Sequence, residues 1–230
     1  MLILGGTIAD GIAVLAFLLC WLGFGQVANW VALKRPSLMS AVRSFRQRWI
    51  ERMCERDNHT ADATLLSNLL RGALFLASTT VLILGGLVAL LGTAPKVAEV
   101  ISQLPYTTPT ESRLAEIKAL ILIFVYVYAF FKFTWSAWQY NVLSILVGAM
   151  PTPDGDAHIR SGYAEAAGRV AALAGESYNN GIRAYYFSIP LMAWFIDPLL
   201  FLSATLAVTI VLYRREFYSP ILIALKEVRP

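Results

Sequence analysis

Lys132 stands inside YAFFKFTWSAWQYN (128–141), an ammonium among aromatic side chains in a run apolar enough to enter a membrane. A charge placed there is costly and marks an ion pair, a counter-ion or a polar path. The acid that could answer it is Asp197, within PLMAWFIDPLLFL. With one helix centred near Ala129 and the other, running oppositely, near Pro198, the two charges sit about 5 Å and about 1.5 Å to the same side of the midplane. The spacing therefore predicts a depth-matched intramembrane pair, Lys132 with Asp197. Pro198 and Pro190 cannot donate to the carbonyls of Trp194 and Tyr186. A freed carbonyl beside an acid can bind a lysine, a water or a cation. Such a pair either fixes helix register or belongs to a permeation or proton path.

The helix carrying Lys132 has two stripes. Phe124, Tyr128, Phe131, Trp135 and Trp138 form an aromatic row, and Val125, Ala129, Lys132, Ser136 and Gln139 form a second row about 100° round. The second row turns polar towards Asn141, so Ser136, Gln139 and Asn141 are expected to face a bundle or a crevice. Asp57, His59 and Asp62 could in principle hold a metal, but in a polar loop they are expected to be solvated. Cys20 and Cys54 are expected to stay free thiols. No phosphate-binding loop, dinucleotide fingerprint, zinc-protease motif or nucleophile elbow is present. Neither catalytic residues, a metal site nor a cofactor is expected.

The elements that must position these residues follow from composition. The chain has 230 residues, 57% hydrophobic and only 15% charged, with a mean hydropathy of +0.60. Soluble domains carry about 25% charged residues, so an all-α integral membrane protein is expected. Four apolar stretches, near 3–33, 65–91, 118–140 and 184–212, each exceed the roughly 20 residues that a crossing needs. The first lacks the basic start of a signal peptide and is expected to be retained. The third helix should start near Pro109 and run to about Ala149, well beyond one crossing.

Between the spans lie amphipathic segments. In 37–56, Leu38, Val42, Phe45, Trp49 and Met53 share one face, while Arg43, Arg46, Arg48, Arg52 and Arg56 occupy the rest. That pattern suits a helix on an anionic membrane surface, and nucleic acid is not an expected partner. In the second span Ala73, Ala77, Gly85 and Ala89 form a small-residue row suited to close helix packing. Residues 156–178 read as an extramembrane helix whose Gly162, Gly168 and Gly175 allow close approach. Asn179-Asn180-Gly181 reads as a turn, Lys96–Leu104 as a short amphipathic piece, and 219–229 as an amphipathic tail.

Orientation follows from basic residues near span ends. The segment from Lys34 to Arg71 holds eight, Gly92 to Lys118 three, Gly148 to Arg183 three, and the C-terminal tail four. Four crossings then put both termini away from the cytoplasm, in the cell's inner (plasma) membrane.

FLASTTVLILGGLVALLG (75–92), YAFFKFTWSAWQYN (128–141), AYYFSIPLMAWFIDP (184–198) and VLYRREF (211–217) resemble the family known as domain of unknown function 599. The resemblance implies a multi-span membrane protein and carries no catalytic or ligand role. Two functional readings lead, with a membrane enzyme as a third behind them. One is an oligomeric transport or channel-like component with a polar path beside Lys132 and Asp197. The other is a non-enzymatic accessory or scaffold subunit. The expected partners are the lipid bilayer, anionic headgroups, and either further copies of the chain or another membrane protein.

Overall fold

The computed structural model describes residues 8–93 and 112–228, and these are helical without a strand. The elements are α1 (Ile8–Ala32), α2 (Leu38–Met53), α3 (Thr60–Leu91), α4 (Ser112–Gly148), α5 (Ala157–Ala193), α6 (Pro198–Phe217) and α7 (Pro220–Glu227). Four stretches are long and apolar enough to cross a membrane: Ile8–Ala32, Thr60–Leu91, Arg113–Gly148 and Pro198–Glu227. The number and the all-α class agree with the sequence. The segment expected at Lys96–Leu104 and a helix start near Pro109 lie outside the described residues.

The fourth expected span is where the structure departs. Residues 184–212 do not form one helix. α5 runs straight through Asn179-Asn180-Gly181 to Ala193, and the chain breaks at residues 194–197 instead. Tertiary contacts override turn propensity here. Gly181 lies against Phe133, where an added Cβ would come within 2.5 Å of the ring, and Asn179 accepts from Arg215 Nη2 at 2.7 Å. The break has a local cause as well. Asp197 takes an extended conformation and accepts from the amides of Leu199 and Leu200, with Pro198 at the first helical position. Proline there needs no amide partner and its backbone angle is already helical.

Cross-contacts give the direction of each helix. α4 and α5 are antiparallel, with Lys118 against Trp194, Tyr126 against Ser188 and Ser136 against Ala174. α1 and α6 are parallel, with Phe17 on Phe201 near their starts and Ala28 beside Tyr213 towards their ends. The C-terminal half of α5 is thus threaded between the apolar helices. The chain runs along the bundle five times, and Ile8 and Phe217 lie at opposite ends of it.

Two cores hold the helices. The first lies between α1, α4, α5 and α6 and contains Phe17, Val125, Ala129, Phe133, Phe187, Leu191 and Phe201, all at most 1% exposed. Aromatic edges interlock, as Phe17 on Phe187 at 5.9 Å and Phe133 on Tyr185 at 5.5 Å. In lipid such close packing, rather than escape from water, drives helix association. The second core joins α2, the start of α3, the end of α4 and the start of α5 through Ile50, Met53, Leu66, Tyr140, Leu143 and Ala167. At 37 residues, α4 is about 55 Å long and carries this second core past the hydrocarbon.

The basic helix α2 docks against α5. It buries Ala41, Ile50 and Met53, a face rotated from the expected one, with Trp49 half-buried. Its long polar side chains lie over glycines of α5. An added Cβ at Gly168 would meet the Gln47 amide and one at Gly175 the Arg46 guanidinium. The glycines singled out by sequence at 168 and 175 are therefore the seats of α2.

Candidate functional site: a polar chamber at the basic end

Lys132 and Asp197 are not brought together. They sit towards opposite ends of the bundle, because Asp197 lies beside Trp194, at the level of Lys118. Lys132 is 14 positions further along α4, about 21 Å at 1.5 Å per residue. Asp197 is occupied as the α6 cap, accepting from Leu199 N at 2.7 Å and Leu200 N at 3.2 Å. The Lys132 ammonium lies 5.4 Å above the Tyr128 ring. The two are kept apart because the chain breaks at residues 194–197 and Pro198 begins a new helix instead of continuing one.

The lysine in the interior is Lys118, 1% exposed. Its Nζ donates to the Trp194 carbonyl at 2.8 Å, the very carbonyl that Pro198 leaves free, and lies 5.2 Å from the Trp194 ring. The Trp194 indole donates to Asp10 at 2.7 Å, and the charges of Asp10 and Asp197 both reach Lys118. One polar cluster thus pins α1, α4, α5 and α6 together at the end where α1 starts.

The polar stripe on α4 fastens it to α5. Ser136 donates to the Ala174 carbonyl at 2.8 Å, Ser177 bonds Gln139 at 2.9 Å, and Asn141 is exposed. The small-residue row of α3 is divided. Ala73 and Ala77 are buried and Gly85 and Ala89 are exposed. Asp62 is held by protein: it accepts from Trp49 Nε1 at 2.7 Å and from Arg56 at 3.2 Å. Among the described residues no three His, Cys, Asp or Glu side chains group to hold a metal.

A second polar group of residues lies at the other end, around a chamber of about 310 Å³ between α1, α2, α5 and α6. Arg43 and Arg46 enter from α2, Glu176, Asn179 and Arg183 from α5, and Glu216 from α6. The capping box of α2, Ser37 with Ser40, forms part of the wall. Glu216, 3% exposed, accepts from Met39 N at 3.1 Å and lies 3.9 Å from Arg183. This carboxylate occupies the anion position at the α2 N-terminus, where amides and dipole favour negative charge. Arg43 pairs with Glu176 at 3.5 Å across an exposed edge.

Arg46 has no hydrogen bond or ion pair among the described residues, so three arginines face two glutamates and one positive charge is left over. Asn179 Nδ2 and Arg183 Nε are also buried without partners. Of the other arginines in 37–56, Arg48 lies over the Phe45 ring, and Arg56, just past the end of α2, bonds the Arg52 carbonyl as well as Asp62. Arg43 and Arg46, expected on a membrane surface, line the chamber, and they are joined there by Arg183 and Glu216, which the sequence does not single out. The available signal was an arginine in GIRAYYF and a lone acid in YRREF, each beside an apolar run.

No curated protein and no solved structure matches the chain. The sequence pattern that defines the family described as "Protein of unknown function, DUF599" matches residues 12–221, nearly its whole length. The resemblance carried by the four quoted stretches is thus a membership: the chain belongs to the DUF599 family of proteins of unknown function.

Proposed function

We propose that the protein is a non-enzymatic membrane component that works by binding an anionic group in the chamber, as an accessory or scaffold subunit does, and not by conducting. The observation that carries this reading is the chamber with its one uncompensated arginine, Arg46. The alternative, an oligomeric transport component, needs a route from the chamber to the Lys118 cluster. Within one copy that interval is filled by Phe17, Val125, Phe187, Leu191 and Phe201, each at most 1% exposed.

The basic end faces the cytoplasm in this proposal. It holds Lys34, Arg35, the α2 arginines, Arg214, Arg215 and Lys226, whereas the described part of the other end holds Arg113 and Lys118. Counting the C-terminal half of α5, threaded between the four apolar helices, as a fifth crossing puts the N-terminus outside and the C-terminus inside the plasma membrane, in place of the same-side arrangement that four crossings imply.

Reconstituted vesicles test the reading. Saturable anion binding by the purified protein without anion efflux above that of empty vesicles is the expected result. Efflux that Arg46→Gln abolishes would overturn it in favour of a conduit.

A further inference from the structure

We infer that the chamber and an adjoining groove form one site for a membrane phospholipid, with the phosphodiester in the chamber and an acyl chain in the groove. This rests on the chamber reading above. Between α1 and α6 lies a groove of about 420 Å³ whose walls include Leu19, Gly23, Phe24, Val27, Ile210 and Tyr213. The groove and the chamber share Ala28. Arg183 joins them physically, since it lines the chamber while its guanidinium lies 5.1 Å from the ring of Phe24 in the groove. A polar compartment adjoining an apolar one along α1 has the amphipathic form of a lipid.

Charge and depth select the headgroup. The chamber has one positive charge in excess, and a phosphodiester carries one negative charge. Guanidinium forks match its oxygens, and the unpartnered Arg183 Nε and Asn179 Nδ2 are further donors. Depth agrees as well. Asn29, Ala32 and Leu33 line the chamber, and beside them Trp30 is 60% exposed with Lys34 Nζ 4.5 Å from its ring. Exposed tryptophan and lysine together mark the headgroup layer. The groove is open at Gly23, where a Cβ would meet nothing within 4 Å, so a larger side chain there would project into it.

The test uses the full chain, purified in mild detergent and washed free of lipid. It is titrated with dioleoylphosphatidylglycerol in mixed micelles and, separately, with glycerophosphate and inorganic phosphate, read by intrinsic tryptophan fluorescence. Lipid should bind saturably. Gly23→Leu, which fills the groove, and Arg46→Gln, which removes the uncompensated cation, should each weaken lipid binding by about tenfold or more. Arg46→Lys should recover part of that loss, which separates charge from folding. Phosphate binding that Arg46→Gln abolishes and Gly23→Leu leaves unchanged would overturn the lipid site while keeping the chamber. Lipid binding that neither variant alters would overturn the lipid site too. Failure of every probe to bind would overturn the chamber reading with it.

Discussion

Replacing Lys118 by methionine should unfold the protein far more readily than the same change at Lys132. The two substitutions match in chemistry, since lysine and methionine have similar volume and nearly equal helix propensity. They differ in surroundings. Lys118 is 1% exposed and donates to the Trp194 carbonyl at 2.8 Å, near two carboxylates. Its loss leaves a buried acceptor unsatisfied, about 1–3 kcal/mol, and withdraws the positive charge that Asp10 and Asp197 face, so the upper figure of about 3 kcal/mol applies. At about 2–4 °C per kcal/mol for a chain of this size, Tm should fall by about 6–12 °C. Lys132 loses only its placement over Tyr128, about 0.5–1 kcal/mol, hence about 1–4 °C. Near-UV circular dichroism melts in detergent read both. Adding Asp10→Asn to Lys118→Met should recover part of the loss. Equal shifts in the two single variants, or a larger one at Lys132, would refute the assignment of Lys118 as the interior charge.

Gly181→Ala should destabilise, because its Cβ would meet the fully buried Phe133 ring; overpacking of about 1–3 kcal/mol outweighs the gain of about 1 kcal/mol in helix propensity. Gly85→Ala, with open space at its Cβ, should leave Tm unchanged or raised in the same melt. Asp62→Ala should lower Tm by removing the acceptor that joins Trp49 and Arg56 to α3, about 1.5–3 kcal/mol for each hydrogen bond to a charged group; Asp57→Ala, at an exposed position, should have no effect. Burial pushes the Cys54 thiol above its ordinary range. Folded protein should therefore resist iodoacetamide at Cys54 at a pH where unfolded chain reacts. The sign for stability follows from the raised value: the contribution is complete below the unfolded thiol's pKa, about 8.5, and is lost as pH rises through the higher folded value. Rapid labelling of Cys54 in the folded state would contradict its burial.

The class of fold was legible because apolar length and low charge are properties of single segments. Spans ending near Ala32 and Leu91 follow from them directly, as does a third helix that outruns its span to end near Gly148. The freed Trp194 carbonyl was legible too, since proline chemistry is local, and a lysine does bind it. Which lysine binds it was not, because depth depends on where a helix breaks, and Asp197 with Pro198 reads equally as a kink or as a cap followed by the first helical residue. The passage of α5 through Asn179-Asn180-Gly181 depends on Phe133 and Arg215, distant in the chain. Likewise Arg183 and Glu216 are separated by 33 positions and become neighbours only when α5 and α6 fold back. Gly168 and Gly175 announced a close approach, though not that Arg46 and Gln47 would fill it.

The break at residues 194–197 also constrains how the protein is made. The part of α5 that lies in the bundle carries Arg183, only 14% exposed, and α5 is not among the helices apolar enough to cross a membrane, so it is a poor candidate to leave an insertion channel sideways by itself. α6 is apolar and follows after four residues, with Asp197 already satisfied by its own helix. The two can enter as a hairpin, α6 drawing α5 in while α1 and α4 offer Asp10 and Lys118 to receive Trp194. On that route the least membrane-like helix is fixed in place only when the chain beyond it has been synthesised.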